Sequence, residues 1–188
     1  MRNLFILLVS FLLAVLSGCS HGNDATAQAM DLRAKLLSAD GYSFDTEITA
    51  DFGDKVYTFA MNCQADNGGN VTFTVTFPQT IAGISGEIDS NGGKLTFDDV
   101  ALTFDLLANG RFSPVSAPWV LMKTLRSGYL TSAGMDGDCL QMTIHDSYEE
   151  DALRLDIWLG KDDLPRTADV LHEGRRILSL DIKDFVLS

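Results

Sequence analysis

The chain has 188 residues, and its 26 acidic and 14 basic side chains give a formal net charge of −12. This length suffices for one domain with a hydrophobic core. An acidic surface repels phosphate backbones and anionic membrane surfaces, so the composition argues against a nucleic-acid partner and against membrane binding through a basic patch.

The first 20 residues have the pattern of an export signal. Arg2 precedes an uncharged apolar run from Leu4 to Leu16. This run is shorter than the roughly 20 residues that a membrane-spanning helix needs, and it is typical of the apolar region of a signal peptide. Small residues then come directly before Cys19. We predict a signal peptide over 1–18. The alternative is an ordinary secretory signal with an incidental cysteine at the cleavage point.

The end of this segment, Leu16-Ser17-Gly18-Cys19, resembles the lipobox of bacterial lipoproteins. The resemblance implies that Cys19 carries a thioether-linked diacylglycerol and begins the mature chain. Each buried methylene contributes about 0.8 kcal/mol, so two or more acyl chains such as palmitate hold a protein stably at a bilayer. We expect an extracytoplasmic protein anchored to the cell membrane, or to the outer membrane if the envelope has two. Residues 19–25 are predicted to be a short polar tether.

A helix and a first group of strands are predicted after the tether. Apolar residues at helical spacing predict a helix from Thr26 to Ser38, with Gly41 beyond its end. From Tyr42 the apolar period changes to two, which predicts strands separated by Gly- and Asn-rich turns. The expected strands run from Tyr42 to Ala50, Lys55 to Gln64, Val71 to Phe77, Gly83 to Asp89, Lys94 to Phe97 and Val100 to Leu107.

A second helix is predicted from Pro114 to Leu130, because its apolar residues return to a 3.6-residue spacing. Four further strands, with short turns between them, run from Asp138 to His145, Ala152 to Leu159, Thr167 to His172 and Arg176 to Val186. An antiparallel sheet of about ten strands curls because its strands twist. We therefore predict an α+β fold, in which residues 26–188 form one strongly curved antiparallel sheet, a half-barrel, wrapped around two helices.

The order of these elements resembles the LolA/LolB-type lipoprotein-carrier superfamily. The closing segment carries the most specific likeness: Leu164-Pro165-Arg166-Thr167-Ala168-Asp169, then a turn at Glu173-Gly174, then a last strand that includes Asp184-Phe185. Among these proteins the chain is most similar in character to clostridial germination lipoproteins, which are membrane-anchored and act through protein partners. The resemblance implies a half-barrel able to bind lipid. A fixed anchor at Cys19 argues against a role as a soluble shuttle.

The sequence offers no recognisable catalytic or metal site. His145 and His172 lie on separate predicted strands and His21 lies in the tether, so none is placed beside a nucleophile. No spacing matches a zinc site or a calcium-binding loop. We therefore expect no catalytic residues, no metal, no cofactor and no enzymatic activity.

Two cysteines remain after Cys19. Outside the cytoplasm Cys63 and Cys139 are a candidate disulfide if their backbones come within about 7 Å of each other. The alternative is two separately buried thiols that act as small apolar side chains.

An apolar face of the predicted sheet, rich in aromatic residues, is expected to meet the second helix. The candidate lining residues are Tyr57, Phe59, Phe73, Val75, Phe77, Trp119 and Met122. Either these residues form a filled core, or they line a cavity that admits an acyl chain or another hydrophobic ligand. The first arrangement fits an adaptor of another cell-envelope protein, such as a wall-remodelling or germination enzyme. The second fits a non-catalytic, ligand-binding lipoprotein.

Overall fold

The computed structural model describes residues 21–98, 100–104, 107–108 and 111–188. The two helices are α1 (His21–Ser38) and α2 (Ala117–Ser127), and a 3-10 turn at Pro114–Ser116 leads into α2. The strands are β1 (Gly41–Asp51), β2 (Val56–Asp66), β3 (Val71–Phe77), β4 (Ser85–Asp89), β5 (Gly92–Phe97), β6 (Val100–Phe104), β7 (Leu107–Ala108), β8 (Arg111–Phe112), β9 (Tyr129–Asp136), β10 (Cys139–His145), β11 (Arg154–Leu159), β12 (Pro165–His172) and β13 (Arg175–Leu187).

Eleven strands form one antiparallel sheet in the order β6-β5-β4-β3-β2-β1-β13-β12-β11-β10-β9, and β7 and β8 form a separate small hairpin. The long pair β1 and β13 joins the two groups of strands, so the first and last strands of the domain lie side by side. This arrangement agrees with the predicted open, curved antiparallel sheet. The strand count is slightly higher than the predicted ten.

Alternating side chains place the hydrophobic core on one face of the sheet. On β1, for example, every second residue from Tyr42 to Ala50 is buried, including Thr46, and the residues that alternate with them face outward. The two helices cover this inner face. Helix α1 packs on β9, β10 and α2, and α2 packs on β10 and β2. Both predicted helices are therefore the elements that bury the apolar side of the sheet.

Several element boundaries differ from the predictions, most clearly those of the two helices. Helix α1 already includes His21, five residues before the predicted start at Thr26, and takes in part of the predicted tether. Helix α2 is shorter than predicted, because Gly128 ends it with an extended backbone. The residues that follow form β9, a strand that was not predicted. Strand β9 is an edge strand with little burial, so its sequence lacks the period-two apolar pattern.

A bulge near the end of β13 turns one aromatic ring into the core. Asp184 has a left-handed backbone, with a φ of 51°, and the register against β1 shifts at this point. Asp tolerates this conformation better than most residues. The shift places Phe185 on the inner face, where its ring stacks on Phe44 with 5.3 Å between ring centroids. The bulge gives a physical reason for the Asp-Phe pair in the closing strand.

No helix among the described residues combines the length and the apolar character that crossing a membrane requires.

Candidate functional site

Most of the residues predicted to line a cavity are core residues. Phe59, Phe73 and Val75 lie on the inner faces of β2 and β3 and are less than a tenth exposed. Met122 and Trp119 on α2 are equally well buried. Of the seven predicted residues, only Trp119 lies on the wall of the largest cleft.

Phe73 has a structural role that its burial alone does not reveal. It is paired across the strands with Gly86 on β4. A Cβ atom placed on Gly86 would lie 2.6 Å from the Phe73 ring, so the ring lies directly over the glycine. Phe104 covers Gly93 in the same way across β5 and β6. At these two positions aromatic rings pack directly on the backbone of the neighbouring strand.

Tyr57 and Phe77 lie at the ends of their strands and are about half exposed. The Tyr57 ring makes an edge contact with Phe52, with 5.9 Å between centroids. Phe77 follows a bulge that pairs it with Ala60 instead of a core position. Neither side chain contributes to the cleft wall.

The interior between α1, α2 and β10 is filled. A void of about 10 Å³ remains among Ala29, Leu32, Arg33, Leu125, Leu130, Met142 and Ile144. This is at the lower limit of the roughly 10–15 Å³ that one water molecule needs. Part of the space between sheet and helices is therefore an ordinary packed core.

An open cleft lies along α2. Its volume is about 1210 Å³, larger than the roughly 300–1,000 Å³ that is usual for small-molecule pockets. Its apolar side chains include Leu37, Phe52, Trp119, Val120, Ile177 and Leu178. Its rim is polar and consists of the turns after β2 and β4, the β10–β11 loop and the β12–β13 turn. An apolar floor with a polar rim is the arrangement expected of a site for an amphiphilic or hydrophobic ligand.

The turn after β2 is held rigidly at this rim. The carboxylate of Asp66 accepts hydrogen bonds from the backbone and the side-chain amide of Asn70, at 2.9 and 2.8 Å. These bonds, first of all that of the amide side chain, lower the pKa of Asp66 below its ordinary value. Arg126 of α2 donates a hydrogen bond to the carbonyl oxygen of Asn67 in the same turn. The rim and the helix are thereby connected.

Helix α2 is also fixed from the other side. The Nε of Arg33 on α1 donates to the carbonyl oxygen of Leu125, at a distance of 2.9 Å. Burial lowers the pKa of Arg33. Helix α2, which forms one wall of the cleft, is therefore connected to α1, to the turn after β2 and to the core beneath it.

Sequence reasoning missed most of the cleft. It identified Trp119 but not Phe52 or Leu178, which come from different turns and strands. These residues converge only because the sheet curls, and no spacing along the chain signals this. The basic residues Lys123 and Arg126 were detectable as the two charged residues of α2.

No disulfide joins the two cysteines of the folded domain, which were considered either as a candidate pair or as two separately buried thiols. Cys63 is buried on the inner face of β2, and Cys139 is exposed at the start of β10. Four strands separate β2 from β10 in the sheet. Burial, with a smaller contribution from Asp45, raises the pKa of the Cys63 thiol.

The histidines stand apart from any nucleophile. His145 ends β10 and His172 ends β12 on the cleft rim. No hydrogen bond joins either ring to a serine, cysteine or carboxylate among the described residues. No group of three or more metal-ligating side chains is found in that part of the chain either. Cys19, the predicted lipidation site, lies outside the described residues.

Comparison with known proteins gives matches of fold. No protein-family model matches the sequence, and no curated protein is significantly similar to it. An uncharacterised conserved protein from Thermus thermophilus is 9% identical, with 87% of each chain covered and a TM-score of 0.49. The LolA superfamily protein NE2245 from Nitrosomonas europaea is 12% identical, with 85% of this chain and 93% of that chain covered and a TM-score of 0.45.

A chain from the complex of the CwlD amidase with the GerS lipoprotein of Clostridioides difficile is similar as well, with 12% identity, 84% of this chain and 92% of that chain covered, and a TM-score of 0.42. The LolA superfamily, which the order of the predicted elements resembles, is thus represented among the matched structures. At these identities the likeness assigns no ligand, partner or activity to this chain.

Proposed function

We propose that this protein is a membrane-anchored, extracytoplasmic, non-catalytic lipoprotein that binds a lipid or another hydrophobic ligand in the cleft along α2. The anchor is the diacylglycerol expected at Cys19, on the sequence grounds given above. The acyl chains hold the domain at the membrane surface, where hydrophobic ligands are abundant.

The observation that carries the proposal is the cleft itself. A domain whose only task is to be stable closes its interior to native packing density. In this domain the interior beneath α1 is filled, but a cleft of about 1210 Å³ stays open beside α2. Trp119 and Val120 on the helix and Leu178 on the sheet line this cleft. Binding an apolar molecule there removes hydrocarbon surface from water, at about 25 cal/mol per Å².

Uptake of a fluorescent fatty acid tests this proposal. In the variant Ile177→Trp a larger side chain enters the cleft from the sheet, since Ile177 is partly buried and lies on the cleft wall. We expect it to lower uptake several-fold. The control is Thr74→Trp, which places the same side chain on the exposed outer face of β3. Equal uptake by both variants and the wild type would show that the ligand does not enter this cleft.

A second candidate function, an adaptor for another envelope protein, is favoured by the sheet edge at β6. This strand has no charged residue, and its inner face continues the apolar surface of β5. Phe97, Val100 and Leu102 are 48%, 60% and 63% exposed. An uncharged edge strand with exposed apolar side chains is suited to pairing with another chain.

A photo-crosslinking residue at position 102 tests the adaptor function in cells. We expect one specific protein adduct there and none from the same crosslinker at Ser132, which lies on the opposite edge strand β9. Repeating the experiment with Cys19→Ala shows whether the contact requires the anchor. The same adducts from both positions would contradict a specific partner.

A further inference from the structure

Helix α2 has two charged residues, Lys123 and Arg126, and both are cations that line the cleft. Residues three apart lie on the same face of a helix, with about 5–6 Å between their Cβ atoms. The Lys123 ammonium lies 5.2 Å from the centre of the Trp119 ring. The wall of the cleft therefore combines two positive charges with an apolar surface.

The guanidinium of Arg126 is incompletely paired. One Nη donates to the Asn67 carbonyl oxygen, and the group lies 5.9 Å from the centre of the Tyr42 ring. Its Nε is buried and has no hydrogen-bond acceptor among the described residues. An arginine has five N–H donors, and a buried donor without an acceptor is costly, more so when it is charged. The second Nη also has no acceptor among the described residues, so the guanidinium retains N–H groups that can donate to an oxygen of a ligand in the cleft.

The other arginines of the sheet differ in this respect. Arg154, Arg166, Arg175 and Arg176 form ion pairs with Asp156, Asp162, Asp51 and Asp169. Lys123 and Arg126, in contrast, have no carboxylate within 4.0 Å in the part of the chain that the structure describes.

We infer that the ligand of the cleft is an amphiphile with an anionic headgroup, a carboxylate or a phosphate, bound by Arg126 and Lys123. This inference rests on the proposed function and specifies its ligand. The hydrocarbon chain lies along α2 towards Trp119, a distance of about 10 Å at 1.5 Å per residue. Carboxylates also line the cleft, at Asp51, Asp89, Asp146, Asp151 and Glu173. They repel an anionic headgroup, so that the side of the cleft formed by α2 is the place left for it.

Photolabelling in vesicles tests the inference on the full, lipidated protein. The probes are a diazirine-bearing palmitic acid and its methyl ester, which share a chain but differ in headgroup charge. Because Arg126→Gln also removes the hydrogen bond to the Asn67 turn, the comparison is between the two probes. We expect the variant to weaken labelling by the acid at least ten-fold more than labelling by the ester. Arg126→Lys, which keeps the charge, restores part of the acid labelling. Lys183→Gln, which removes an exposed cation from β13, serves as the control.

The two probes separate the inference from the proposed function. Ester labelling that Arg126→Gln retains shows that the variant is folded and that its cleft still admits the hydrocarbon chain. Equal labelling by acid and ester in the wild type, with no effect of Arg126→Gln, would overturn the inference and leave the proposed function standing. No cleft labelling by either probe would overturn both. Unlabelled palmitate and lysophosphatidic acid, used as competitors, distinguish a carboxylate from a phosphate headgroup, and failure of both to compete would also overturn the inference.

Discussion

Replacing Phe185 by alanine tests the account of the closing strand. The ring is 7% exposed and stacks on Phe44, with an interplanar angle of 15°. Removing a buried phenylalanine side chain typically costs about 3–5 kcal/mol, of which roughly 0.5–1.5 kcal/mol comes from an aromatic pair. Whole domains have free energies of unfolding of about 5–15 kcal/mol. We therefore expect Phe185→Ala to remove a large part of the stability.

Urea denaturation followed by circular dichroism measures this loss as a shift of the midpoint at constant slope. The control is Val186→Ala at the adjacent position, whose side chain is 53% exposed, so that the expected loss is below about 1 kcal/mol. Asp184→Gly should be tolerated, whereas Asp184→Val should cost about 1–2 kcal/mol because of the left-handed backbone. If Phe185→Ala lost no more stability than Val186→Ala, the proposed role of the bulge would be wrong.

Three further predictions concern the thiols, the rim and the anchor. Cys139 should react with a thiol reagent in the native protein, whereas Cys63 should stay protected because burial raises the pKa of the Cys63 thiol. Two reactive thiols under native conditions would contradict the structure. The pKa of Asp66 is lower in the folded than in the unfolded chain, so its contribution to stability is present above about pH 4 and lost as the pH falls through the folded value. The urea midpoint should therefore fall more between pH 5 and pH 3 in the wild type than in Asp66→Asn. Equal falls in the two proteins would refute this. Cys19→Ala should abolish incorporation of labelled palmitate and move the protein out of the membrane fraction, and retention there would contradict the anchor.

The sequence predicted elements that have a strong period and missed those whose structure depends on distant contacts. The alternation of β3 and the helical spacing around Trp119 correspond to buried faces in the structure. Strand β9 was missed because its edge position leaves it without an apolar face. The curved sheet covered by two helices was predictable because so many short-turn strands leave no other means of covering the apolar face.

The cleft was less predictable than the fold. The aromatic residues of β2 and β3 are equally compatible with a core and with a ligand site, and the structure places Phe59 and Phe73 in the core. Whether an aromatic ring belongs to the core or to a ligand site depends on whether it packs on another part of the protein, as the Phe73 ring packs on Gly86. Such pairing depends on the register between neighbouring strands, which the spacing of apolar residues alone does not reveal. The sequence also does not reveal that Arg126 lacks a carboxylate partner among the described residues, and the inference about the cations of α2 depends on this.

Native mass spectrometry of the protein after mild extraction from its membrane tests the central claim most directly. The account predicts a species heavier than the lipidated chain by the mass of one amphiphile, which Ile177→Trp loses and Thr74→Trp retains. A wild-type mass equal to that of the lipidated chain alone, unchanged after incubation with fatty acid, would contradict a ligand-binding cleft.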